Sequence, residues 1–254
     1  MTRRYAELTT AQVATALSRD SVLVLPTGAI EPHGPHLPLA TDLIMAEAVS
    51  EAVVARGAAA GHDVWLLPAL GYTKSDEHAL LPGTIWLRAS TLLETLVDIG
   101  ASIAQTPARR LLFLNAHGGN SALLEVAARE LRRRFNLQTF FSSGRAQPGP
   151  TERGLGIHAG WAETSMMLHL RPDLVQMDQA ESKVADAVAD TTHVGFTKTV
   201  KFGWLSTDFD ESGVIGDPTG ADAGIGEKLF EERVEALVTA LDDISTFNPG
   251  RVHS

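Results

Sequence analysis

The chain has 254 residues, no cysteine, a net charge of −10 and a pI near 5.3. The charge speaks against a nucleic-acid binder, whose phosphate contacts need clustered Lys and Arg, and the missing cysteines remove disulfides, thiolate nucleophiles and Cys-based zinc sites together. An apolar fraction of 44%, a polar stretch over residues 1–12 and no apolar run of membrane-spanning length lead us to expect a soluble, cytoplasmic protein with one domain over residues 1–254.

In chain order, residues 9–18 read as a short helix opened by Thr9 or Thr10, and 21–26 as an apolar strand. Residues 42–60 are rich in Ala, Val, Glu and Met and read as a helix ending near Gly61. A second strand is expected over 64–70. It is followed by a polar stretch, 71–84, that carries Lys74, Ser75, Asp76, Glu77 and His78. Residues 90–105 form an amphipathic helix, 109–115 a third strand, 121–135 a third long helix and 137–142 a fourth strand. The basic run Arg132–Arg134 belongs to a solvated helix face or a subunit contact. After a Gly- and Pro-rich loop at 143–156, residues 160–170 look helical. Residues 178–220 are irregular, with a strand-like piece at 197–204 and a turn at Gly216-Asp217-Pro218, and 223–240 close the chain as a helix. Short apolar strands that alternate with long helices imply βαβ units and a parallel sheet covered on both faces. Ligands bind such sheets outside the carboxyl ends of the strands. The polar clusters sit there: Glu31 follows the first strand, Ser75–His78 the second and His117 the third.

Residues 28–42 read G-A-I-E-P-H-G-P-H-L-P-L-A-T-D. In extended chain, residues i and i+2 point to one side, so Glu31 and His33 face one point, and the turn-forming stretch 34–40 lets Asp42 fold back toward it. Carboxylate with imidazole suits zinc, or manganese where oxygen ligands dominate. The bland alternative is a surface loop, including a second histidine, His36, with Asp42 as a helix N-cap. Residues 115–120, N-A-H-G-G-N, place His117 at the end of the third strand. A Gly-rich turn into a helix also suits phosphate, although neither common phosphate-loop spacing is present. In 157–165, I-H-A-G-W-A-E-T-S, His158 precedes a helix and Glu163 lies in its first two turns. Glu163 belongs either to a solvated face or, since Met166, Met167 and Leu168 mark a buried side, to an inward-facing cluster.

These segments, in their order with L-P-G-T at 81–84 and G-V-I-G-D-P-T at 213–219, resemble the creatininase family of metal-dependent amidohydrolases over roughly residues 22–240. The resemblance implies a three-layer α/β/α sandwich with a mostly parallel sheet, and two divalent ions per chain, zinc first, with manganese or iron at one position. It assigns Glu31 and His117 to one ion, His33 to the other and Asp42 to both. It makes His158 a substrate-contacting, acid/base histidine, and it puts Ser75 and Gly118 beside the substrate. Family members commonly form hexamers. Creatininase proper follows its third-strand histidine with a tyrosine and a metal-binding glutamate, where this chain has Gly118 and Gly119. It also has a tryptophan where this chain has Gly154. The H-G-G-N form is similar to that of relatives that open peptides or formamides, such as the mycofactocin-precursor peptidase and the formamide hydrolase of archaeal flavin synthesis.

The expected activity is therefore hydrolysis of a non-standard C–N bond (amide, lactam or formamide) by a hydroxide shared between two ions, with a peptidase that trims a short precursor as the alternative. A Rossmann-like metabolite-binding module, with 115–120 as its anion loop, is the reading from outside the enzymes. Gly119 offers no side chain to the second ion, so Glu163 is expected to complete that shell, as ligand and catalytic carboxylate, with Asp76 and Glu77 outside it.

Overall fold

The computed structural model describes residues 2–143 and 147–249. Four strands, β1 (Val22–Thr27), β2 (Val64–Leu66), β3 (Arg110–Asn115) and β4 (Gln138–Ser143), pair in parallel in the order β2-β1-β3-β4. β1 and β3 are central, and every residue of both is buried. Their side chains alternate between faces. Leu23, Leu25, Leu111 and Phe113 pack on one side with Leu17, with Leu92 and Leu96 of α3 (Ala89–Ile103) and with Leu124 and Leu131 of α4 (Ser121–Phe135). Val22, Val24, Leu112 and Leu114 pack on the other with Val49 and Val53 of α2 (Thr41–Ala59) and with Phe230, Val234 and Leu241 of α7 (Ala223–Thr246). Each such side chain contributes about 1.5–3 kcal/mol when fully buried, so the two faces hold the helices as the outer layers of an α/β/α sandwich.

The other elements are α1 (Thr10–Ala16), capped by Thr9 through a reciprocal bond pair with Gln12, then α5 (Trp161–Leu170) and the short α6 (Asp186–Ala189). Arg133 and Arg134 of α4 both bond Glu130 on an exposed face, as a solvated basic run would.

The structure departs from the sequence reading in three places. The strand expected over 64–70 ends at Leu66, because Pro68 has no N–H for the ladder, and only an isolated bridge from Leu70 to Thr27 follows. Residues 197–204 form no strand. Val200 stays exposed, while Phe202 and Trp204 turn inward and pack with Phe196 and Phe209 in a satellite core that also holds Leu155 and Ile215. α7 runs on to Thr246 rather than stopping at 240, opened by Asp222, whose carboxylate accepts the Gly224 and Ile225 N–H groups. Of the Gly- and Pro-rich loop at 143–156, residues 144–146 lie outside the described residues.

The strand order sets the site. The chain leaves β1 for β2 on one side, then crosses back over β1 to β3. Connections therefore diverge at the carboxyl ends of β1 and β3 and open a crevice there, the usual ligand position in such sheets. α5 lies beside this crevice and is held by close packing on α7. A Cβ added to Gly226 of α7 would run into the Ser165 backbone carbonyl of α5. Gly→Ala inside a helix ordinarily stabilises by about 1 kcal/mol. Here we expect Gly226→Ala to destabilise by about 1–3 kcal/mol through overpacking, read as a lower urea midpoint. An unchanged or higher midpoint would show that the α5–α7 spacing has slack.

Candidate metal centre

Glu31, His33 and Asp42 reach the crevice because the loop after β1 doubles back on itself. Gly34 takes a left-handed backbone (φ 72°), and His33 and Leu37 then bridge antiparallel. A side chain at 34 would also strike Val214 and the His36 ring, so glycine is required at this turn. Asp42 is not an N-cap: α2 is capped at Ala40, and Asp42 points from its first turn into the protein, 2% exposed. His36 stays out of the cluster. Its Nε2 lies 2.9 Å from Thr164 Oγ1 and ties the loop to α5.

From β3, His117 brings Nδ1 to 3.2 Å from Glu31 Oε1 and 3.1 Å from Asp42 Oδ2. The other Asp42 oxygen, Oδ1, lies 3.2 Å from His33 Nε2. Asp42 thus offers one oxygen to each side. Two three-residue groups, Glu31/Asp42/His117 and His33/Asp42/Glu163, each bring their ligand atoms within 4.8 Å of one another, and Glu31/His33/His158 do the same. Glu163 is fixed by its own turn: its Oε2 accepts the Ala159 N–H at 2.5 Å, and Ala159 sits in a left-handed backbone (φ 53°) directly after His158.

The neighbouring side chains orient this core. Ser75 Oγ donates to Glu31 Oε2 at 2.5 Å, which leaves Oε1 for the crevice. His158 Nε2 donates to the Pro32 carbonyl at 2.8 Å, so its Nδ1 faces inward, 3.6 Å from Glu31 Oε1. Its ring lies between His33 (4.2 Å between centroids) and His78 (4.3 Å). Gly118 is exposed at the lip of the crevice. Sequence reasoning passed over His78, which is buried with Nε2 3.5 Å from Glu31 Oε1; its place after the second strand, three residues from Ser75, was the available signal. Asp76 is half-exposed and pairs with Lys74, while Glu77 meets the far side of His117. Neither joins the three groups.

The electrostatics of this cluster call for cations. Burial opposes ionisation of Asp42, but His33 and His117 beside it drive its pKa far below the usual range. Burial likewise opposes the His33 imidazolium, yet Asp42, Glu163 and Glu31 raise its pKa to about 9; His117 is raised well above its ordinary value mainly by Glu31 and Asp42. Burial pushes Glu163 up to about 7. Burial, reinforced by His33, lowers His78 to about 4 and takes His158 well below the ordinary range. Glu31 Oε1 and Asp42 Oδ2 are buried and complete no hydrogen bond. Such atoms cost several kcal/mol unless paired. Carboxylate oxygens and imidazole nitrogens at this spacing fit divalent ions. An anion at the 115–120 turn would instead face Glu31 and Asp42.

A sequence profile of the creatininase family, described as creatinine amidohydrolase, matches residues 6–241. The chain is 35% identical over 232 residues to the mycofactocin precursor peptide peptidase of Mycobacterium ulcerans, covering 90% of this chain and 86% of that protein. It is 36% identical over 183 residues to the creatinine amidohydrolase of Pseudomonas putida, covering 63% and 68%. A solved manganese form of creatininase superposes with a TM-score of 0.74 at 27% identity, over 97% of this chain and 100% of that one.

If Asp42 serves both ions, Asp42→Ala should bind neither, whereas Glu163→Gln should lose one and keep the other, as read by metal analysis after dialysis. Full metal content in Asp42→Ala would refute the shared carboxylate. Metal uptake should also release protons. Near pH 7.5 the metal-free protein holds them on His33 and His117, whose raised pKa values keep both imidazoles charged, and a bound ion takes those lone pairs. Calorimetric titration in two buffers of different ionisation enthalpy should report release of about one to two protons, with affinity rising as pH rises. Identical heats in both buffers would mean that the imidazoles are already neutral.

Proposed function

Because the chain belongs to the creatininase family, we propose that it is a metal-dependent hydrolase that cuts a C–N bond at the end of a short peptide. The observation that carries the substrate class is open space at two glycines. A Cβ on Gly118 or on Gly154 would meet no atom within 4 Å. Creatininase proper closes these positions with aromatic side chains around a small ring. Their absence leaves room for a longer substrate. A cavity of about 510 Å³, a size typical of ligand sites, reaches Glu163 and Ala116; Met45, Val49 and Met166 wall it and Arg233 lines it. The likeness to a mycofactocin precursor peptide peptidase over nine-tenths of the chain supports the same reading.

Glu31, Asp42 and His117 would hold one divalent ion, and His33, Asp42 and Glu163 the other. When bound, such ions lower the pKa of water toward neutrality and polarise the scissile carbonyl. The mixed oxygen and nitrogen donors suit zinc, with manganese or iron at one position. The chain's own residues do the rest. Ser75 holds Glu31 so that Oε1 faces the crevice. His158 carries its proton on Nε2, committed to the Pro32 carbonyl, and presents the Nδ1 lone pair inward. Burial, reinforced by His33 and His78, takes this imidazole well below the ordinary histidine range and keeps it neutral. His158 therefore first accepts a proton at Nδ1 from the attacking water. The imidazolium so formed is acidic enough to pass that proton to the leaving nitrogen. A homohexamer, as the family resemblance implies, and the cytoplasmic location expected from composition belong to this reading, and light scattering tests the assembly.

The purified, metal-loaded enzyme should release a terminal fragment from short peptides, detected by mass spectrometry, with creatinine turned over about a hundredfold less efficiently or worse in kcat/KM, a gap that a mismatched pocket can produce. Creatinine, a lactam or a formamide as the best substrate in the same panel would overturn the peptide assignment and leave the smaller-amide reading.

A further inference from the structure

Glu77 was expected to lie outside the second ion's shell; it joins none of the three candidate ligand groups, but its carboxylate is not free. It is only 11% exposed, its Oε2 accepts from Lys74 Nζ at 2.8 Å, and its Oε1 lies 3.3 Å from His117 Nε2. The same Nε2 lies 2.8 Å from the Lys74 carbonyl. Two acceptors on one side of the ring require a proton on Nε2. Nδ1 is then left as the atom that meets Glu31 Oε1 and Asp42 Oδ2. Gly119 explains how Glu77 gets there. A Cβ at 119 would fall on Glu77 Oε1 and crowd His117 Nε2. The backbone of Gly119 is not left-handed, so a side chain there would cost space and not conformation, and it would push the Glu77 carboxylate away from His117.

We propose that Glu77 is the positioning carboxylate of His117: it enters the space that Gly119 leaves empty, fixes the ring with Nε2 protonated and so aims Nδ1 at the ion shared with Glu31 and Asp42. Histidine ligands commonly donate their second N–H to a carboxylate or carbonyl, which fixes the tautomer and strengthens the ligand. Here both acceptors come from one stretch, residues 74–77, on the loop after β2, while the ligand comes from the loop after β3. Lys74 supplies the carbonyl through its backbone and pins Glu77 through its ammonium.

The inference rests on the two-ion reading of the site. The test is metal affinity, measured by chelator competition with Zn2+ and Mn2+ alone, on the full chain. Glu77→Gln and Glu77→Ala should weaken one ion by about 10–100-fold and leave the ion at His33, Asp42 and Glu163 unchanged. The metal-free melting temperature should move by only a few degrees. Lys74→Met keeps the Lys74 carbonyl but unpins Glu77, and it should weaken the same ion to a smaller degree. Nitrogen-15 spectra of the zinc-loaded wild type should show a proton on Nε2 of His117, and those of Glu77→Ala a weakened or mobile one. A role in folding alone would shift the melting temperature and spare the affinities, and that result overturns the proposal. So do equal losses at both ions. If the Glu77 variants do not fold, unchanged affinity in Lys74→Met overturns it. A wild type that binds no divalent ion at all would instead sink the metal centre itself, and this inference with it.

Discussion

Two buried carboxylate oxygens that complete no hydrogen bond, Glu31 Oε1 and Asp42 Oδ2, set the terms for the rest of this structure. Both residues are almost wholly out of water. A buried carboxylate without compensation costs several kcal/mol, and protonated imidazoles compensate here only by being held charged against their own burial. His33 and His117 play that part, each within 3.2 Å of a carboxylate oxygen. The cluster can therefore be neutralised in two ways, by protons on these imidazoles or by divalent metal. The fold must hold its ligands in place through the exchange. This couples metal binding to stability, since an ion that binds only the folded chain stabilises it by mass action.

The sheet supplies that rigidity. Glu31 and His117 follow the two central strands, whose residues are all buried, and side chains near such strands are placed more accurately than those on free loops. The less regular contributors are braced one by one: Glu31 by Ser75, His158 by the Pro32 carbonyl, Glu163 by the Ala159 N–H. Ala159 takes a left-handed backbone that disfavours any residue but glycine. Strain of that kind persists where the surroundings over-determine it, and here it turns the chain between His158 and Glu163 so that both face the crevice.

Much of this was legible in the sequence, and the reasons are local. The i, i+2 spacing of Glu31 and His33 and the apolar run before them are short-range patterns, and short-range patterns survive folding. The four strands and long helices were readable for the same reason, except where Pro68 cut β2 short. The failures involve long-range packing. Residues 197–204 alternate like a strand, but among the described residues only an isolated Val194–Val200 bridge pairs them, so their aromatic residues close a small core of their own. His78 and Glu77 were visible as polar residues after a strand. Their roles depend on which atoms of His158 and His117 they face, and only the tertiary structure sets that. The low pKa of His158 was hidden for the same reason, since it follows from burial beside two other imidazoles.

Glu152 shows why burial of an acid alone does not mark a functional site. It is 1% exposed, as deeply buried as Asp42. Its carboxylate accepts the Trp161 N–H at 2.9 Å and the Asp217 N–H at 2.8 Å, and it also accepts the Gly149 N–H. Side chains at Gly156, Gly160 and Gly216 would collide with it. The glycines thus let backbone close around the acid, and neither of its oxygens is among the buried atoms that lack a partner. Backbone N–H groups fill its shell, and Glu152 works as a knot that ties the loop before His158 to the start of α5. Glu31 and Asp42 are as deeply buried, but each keeps one oxygen that completes no hydrogen bond and meets only histidine nitrogens. The difference lies in who completes the shell. Where the protein does, the acid holds the structure together; where it does not, the acid waits for a ligand.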